Sequence, residues 1–235
     1  MNLVAFCEAA ADFAISSHLV ERLLDPEVPD WRGEGDRDFY TVKRVHAIAR
    51  ARRLGVPHGH FDGKPGAAGA TMARTVFWLC RDFAKTQPLD GVVLVWDMDD
   101  QPEDRSRGLD QARTEATRLA SFRIVIGRAN PNREAWVLVG FDAETDEERE
   151  RLEELRQELG YPPNQDAHRL TAKHETDKHN GKRVLRALTD GDHDREARAW
   201  RDTSLATLRA RGRNCGLAEF LAEIEEHLVP LRTAR

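Results

Sequence analysis

The chain has 235 residues, 40% hydrophobic and 33% charged, with a formal net charge of -5, values that suit a soluble globule of one large domain or one domain with a helical appendage. No apolar run approaches the roughly 18 residues of a membrane span, and the opening MNLVAFCEAA has neither a basic n-region nor a long apolar core; a cytoplasmic protein without a membrane partner is therefore expected. The negative balance argues against simple coating of nucleic acid, but residues 169–213 hold twelve Lys or Arg against seven Asp or Glu, and residues 97–110 hold six acids against two arginines. An anionic polymer can approach the basic segment while a metal bridges it to the acidic one, although solvated helix faces produce the same asymmetry. Cys7, Cys80 and Cys215 are widely spaced beside apolar sequence, the pattern of buried thiols and not of a disulfide framework or zinc site.

In chain order, residues 3–7 read as a short buried strand and 10–24 as a helix with Phe13, Ile15, Leu19, Val20, Leu23 and Leu24 on its apolar side, ended by Pro26 and Pro29. Residues 39–45 read as a second strand, 46–54 as helix, the Gly- and Pro-rich stretch 55–69 as loop, and 70–84 as helix. The clearest strand is 92–96, continuous and β-branched, bounded by Asp90-Gly91 before it and acids after it. A helix over 107–119 follows, then a strand over 122–126, then 135–141 as either strand or short helix. The charged segment 145–159 carries Leu152, Leu155 and Leu159 as a helical stripe. Helices at 182–188, 196–211 and 217–228 complete the chain. Strands alternating with helices predict an α/β fold: a mainly parallel sheet flanked by helices over residues 1–142, with residues 143–235 as a helical C-terminal extension. Such sheets bind ligands at the carboxyl ends of their strands.

Two strand ends carry acids. Asp97 and Asp99 follow 92–96, and an i, i+2 pair on extended backbone points both carboxylates to one side, the spacing to share a hard cation. Glu8 follows the first strand and Asp12 lies four residues on, on the same helix face; Asp12 equally suits a helix-start cap. Asn132-Arg-Glu-Ala-Trp136 adds Glu134 beside a tryptophan.

This order of Glu8 with Asp12, Asp97 with Asp99, and Glu134 with Trp136 resembles the Toprim domains of OLD-family nucleases and related bacterial defence proteins, over about residues 1–142. That family has E-G-x-x-D after the first strand, D-x-D after a central strand and an E-x-W-like element later. Glu8 and Asp12 match the first pattern, with Ala9 where glycine is usual, and Asp97 and Asp99 match the second. The resemblance implies Mg²⁺- or Mn²⁺-dependent phosphodiester hydrolysis of nucleic acid, DNA first, in antiviral defence. The metal would be held by Glu8, Asp12, Asp97 and Asp99, with Glu8 and a downstream lysine catalytic. Lys182, opening a helix in HNGKRVL, is the first choice for that lysine, with Lys178 and Lys173 next. No G-x-x-x-x-G-K-S/T motif occurs, so an ATPase or sensor would be a separate partner chain.

Other readings remain open at this level. His58, His60 and Asp62 alternate as metal ligands can, and the GKPG at 63–66 can cradle a phosphate through backbone N–H groups and Lys64, or be a plain loop. A metal-dependent phosphatase of the haloacid dehalogenase kind also has D-x-D after an apolar strand, but threonine stands where this chain has Gln101. A sugar transferase leaves Glu8 and Asp12 unexplained, a primase-like activity would share the metal site, and a Toprim-shaped binding module would need no catalysis.

Overall fold

The computed structural model describes residues 1–233. In chain order its elements are β1 (Asn2–Cys7), α1 (Ala10–Leu24), β2 (Asp30–Arg32), β3 (Tyr40–Thr41), α2 (Val45–Ala51), β4 (His60–Phe61), β5 (Lys64–Pro65), α3 (Ala70–Phe83), β6 (Gly91–Asp97), α4 (Pro102–Thr117) and β7 (Arg123–Ala129). Then come only helices: α5 (Arg133–Val139), α6 (Asp146–Leu159), α7 (Gly181–Thr189), α8 (His193–Arg201), α9 (Leu205–Arg211), α10 (Leu217–His227) and α11 (Val229–Thr233). None of the described helices is long and apolar enough to cross a membrane.

The main sheet has the order β2-β1-β6-β7, with β3 also on β1. β1 runs parallel to β2, β3 and β6, with Val4 opposite Val92 and Phe6 opposite Leu94. Leu3–Cys7 and Val92–Val95 are buried throughout, as strands covered on both faces must be, which is why their sequence is continuously apolar instead of alternating. β3 is shorter than the strand expected over 39–45. β2 already occupies Asn2, Leu3 and Val4 of β1, so β3 pairs only with Phe6 and Cys7 before the chain turns into helix at Val42.

The chain forms two compact units. The first comprises Met1–Trp96, Gln101–Gly127 and the chain from Ala222; it holds the sheet, with α3 packed along α4. Gly108 makes that helix contact close: a Cβ there would stand 2.0 Å from the Ala68 carbonyl oxygen, which only glycine avoids. The end of α10 belongs to this unit because Glu223 accepts from Arg113 Nη2 at 2.7 Å and from the Ile126 N–H at 3.4 Å.

The second unit comprises Asp97–Asp100 and Arg128–Leu221, so the division into units falls elsewhere than residue 142. Its centre is α5, where residues 135–139 are all buried and Trp136 stacks on Phe220 at 5.0 Å while its Nε1 donates to Cys215 O at 2.7 Å. Residues 135–141, open in sequence between strand and helix, are thus mostly helical. The single helix expected over 196–211 is two: α8 ends at Arg201, and Ser204 caps α9 by accepting the Thr207 N–H. All three cysteines are buried and free.

Candidate functional site

In the first unit, Glu8 is half-buried directly after β1. Ala9 then starts α1 at φ -145°, ordinary extended backbone, so the turn after Glu8 makes no demand for glycine and the departure from the E-G-x-x-D pattern leaves the backbone unstrained. Asp12, 6% exposed, accepts the Ala9 N–H at 2.8 Å through Oδ2, the cap that its position in the first helical turn predicts. Lys64 is exposed on β5, in a two-residue hairpin whose turn places Asp62 and Gly63 at positive φ. The hairpin is held from below by Arg74, 3% exposed, which donates to Pro57 O, His60 O and Glu115 and lies 3.2 Å over the Phe61 ring. Asp62 pairs with Arg118 at 2.9 Å. The segment expected to be irregular is therefore an anchored hairpin.

In the second unit, Asp97 accepts the Arg133 N–H at 3.0 Å, at the first residue of α5. Met98 is buried and its N–H donates to Ala129 O, while Asp99 is exposed at φ 49° and its N–H donates to Pro131 O. The backbone is therefore left-handed at Asp99, and the extended-chain argument for two carboxylates on one side does not apply there; a turn sets their directions instead. Asp100 pairs with Lys173 at 2.9 Å. Glu134 is buried, paired with Arg133 at 3.4 Å, and Arg133 reaches Glu196 at 3.6 Å.

The start of α7 closes over this region. A Cβ on Gly181 would stand 3.3 Å from Glu134 Cβ and 3.4 Å from Asn132 Oδ1, the two residues flanking Arg133. Lys182, exposed, follows directly. Lys178 by contrast donates to Glu158 O near the end of α6 at 2.9 Å, a helix-terminus contact of the kind cations favour. Asn132 Oδ1 is buried with no hydrogen-bond partner. In the sequence Asn132 stands out only as the start of the Glu134 motif; its place directly before a helix marks a cap, whereas here its side chain makes none.

Among the described residues, no three His, Cys, Asp or Glu side chains group closely enough to hold an ion. Magnesium keeps several waters and is commonly bound by one or two carboxylates plus substrate phosphate. The oxygen donors of the second unit, Asp97 and Asp99 with the orphaned Asn132 amide oxygen, are of the type it takes. Comparisons with family models, curated proteins and solved structures gave no match.

Proposed function

We propose that the chain is a Toprim-like, Mg²⁺- or Mn²⁺-dependent endonuclease that hydrolyses phosphodiester bonds of nucleic acid, DNA first. The supporting observation is the gathering of three separated sequence elements in the second unit. The D-x-D enters through the Asp97–Arg133 hydrogen bond, the Glu134 motif forms the start of α5, and the helix start bearing Lys182 lies on Asn132 and Glu134. The sheet adds that β1, which Glu8 follows, and β6, which Asp97 closes, are parallel neighbours.

In this reading Asp97 and Asp99 hold the metal in the second unit, with Glu134 as a further candidate there, while Glu8, Asp12 and Lys64 belong to the first unit. Bound there, Mg²⁺ supplies a water of lowered pKa and charge to offset the phosphodiester. Arg133, through its backbone N–H, fixes the direction of one Asp97 oxygen. Lys182, free of salt bridges among the described residues, offers a cation for phosphate or leaving oxygen. Defence against phage beside an ATPase or sensor chain, in the cytoplasm, completes the proposal.

A second reading, a Toprim-shaped binding module without catalysis, draws on the engagement of Asp12 and Asp97 at helix starts. The two separate in a divalent-metal titration with plasmid DNA and structured RNA. Metal-dependent cleavage that falls at least 100-fold in Asp97→Ala and in Lys182→Ala, with Glu8→Ala also impaired, supports the nuclease. Cleavage that survives both Asp97→Ala and Glu8→Ala overturns it, and no cleavage of either substrate by folded protein favours the binding module.

A further inference from the structure

A pocket of about 380 Å³ in the second unit is lined by Tyr161, Arg169, Thr171, Ala172, Asp177 and His179. Its frame is a closed loop. The Ala172 N–H donates to His179 O at 3.2 Å, the Asn180 N–H to Asp177 O at 3.1 Å, and the buried Asn180 Nδ2 to Ala172 O at 2.8 Å. Tyr161 is buried, and its hydroxyl lies 3.1 Å from His179 Nδ1. Burial pushes the phenol above its ordinary pKa, so its hydroxyl stays within hydrogen-bond reach of the ring as a neutral partner.

Arg169 is held with its guanidinium 3.9 Å over the Tyr161 ring, which orders a charge that would otherwise sweep solvent. Arg169 and the Thr171 hydroxyl bring donors to the lining, and the His179 ring borders it. The one carboxylate, Asp177, accepts the His179 backbone N–H at 2.8 Å. Residues 168–183 hold five Lys or Arg against two acids. A guanidinium ordered on an aromatic ring within a basic segment suits an anion with several acceptor oxygens.

We propose that this pocket binds a phosphate group of a nucleic-acid strand and so anchors the strand beside Lys182. Asn180 makes the connection: it closes the pocket loop and also caps α7, its Oδ1 accepting the Arg183 N–H at 3.0 Å. The preference for a strand over free phosphate rests on the nuclease reading; the phosphate site itself does not.

The test is fluorescence anisotropy of a labelled single-stranded DNA oligonucleotide with the full chain in EDTA, where cleavage is silent, with inorganic phosphate and a 5′-mononucleotide as competitors. Arg169→Ala should weaken the oligonucleotide about tenfold, as the loss of one charge-assisted contact does. Arg169→Lys, which keeps the charge and loses the planar fork, should recover only part. Tyr161→Phe, which removes the hydroxyl beside His179 Nδ1, should weaken it a few-fold, with thermal unfolding showing each variant folded. Unchanged affinity in both Arg169→Ala and His179→Ala overturns the site. Tighter binding of the mononucleotide or inorganic phosphate than of the oligonucleotide overturns the strand as its ligand. Cleavage in Asp97→Ala and oligonucleotide binding in Arg169→Ala are read in separate assays, so failure of the nuclease reading and failure of the phosphate site are distinguishable.

Discussion

Arg195 is 4% exposed, and its Nε lies 2.6 Å from Glu148 Oε1 while Nη2 reaches Glu148 Oε2 and Asp142 O. Those hydrogen bonds, first among the causes, hold the Glu148 carboxyl at about 2, well below its ordinary value of 4.5. A carboxylate with a depressed folded pKa stabilises fully above its unfolded value, and this contribution, roughly 3 kcal/mol, is lost as pH falls from about 4.5 towards about 2. Urea unfolding at pH 7 and pH 3 should therefore show a large acid loss in the wild type and a smaller one in Glu148→Gln. Arg195→Met leaves Glu148 buried without its cation and should cost about 3–5 kcal/mol at pH 7. At the scale of single residues the Asp12 cap was legible, since it follows from spacing. The positive φ of Asp99 was not, because a carboxylate at a strand end carries no mark of the turn that receives it.

Among the elements, α1, α3 and α6 were readable from their 3.6-residue spacing, and β1, β6 and β7 from continuous apolar runs. β2, three residues long, is too short for alternation to register, while β3 keeps two residues of the strand expected over 39–45, and both lengths follow from how β1 is shared between them. α5 resisted assignment because residues 135–139 are buried all round, which erases the polar face that reveals a helix. The start of α1 lacks a side-chain cap at Ala9. Ala9→Ser supplies one opposite Asp12 and should raise stability by about 1 kcal/mol in denaturant melts. At the other helix start, Gly181→Val places a branched side chain against Glu134 and Asn132. It should lower stability by roughly 1–3 kcal/mol and, if α7 positions Lys182, reduce cleavage more than Ala9→Ser does.

For the whole chain, the fold places the last residues back in the first unit. Leu228 is buried where a Cβ on Gly91 of β6 would meet its Cδ2 at 2.8 Å, and Glu223 ties Arg113 to β7. The boundary expected at residue 142 reflected a change from strands to helices, and sequence pattern carries no sign that the chain returns. A fragment of residues 1–142 would lack Glu223 and Leu228, and should show no cooperative thermal transition by circular dichroism. The central claim concerns Asp97, which both receives the Arg133 N–H and is proposed to hold metal. Asp97→Asn separates the roles, because an amide oxygen can still accept that N–H while the negative charge is gone. The decisive measurement is the single-turnover rate of plasmid cleavage against Mg²⁺ concentration for wild type and Asp97→Asn. A rate at least 100-fold lower with the thermal midpoint retained is the predicted result, and equal rates across the titration would contradict a metal role for Asp97.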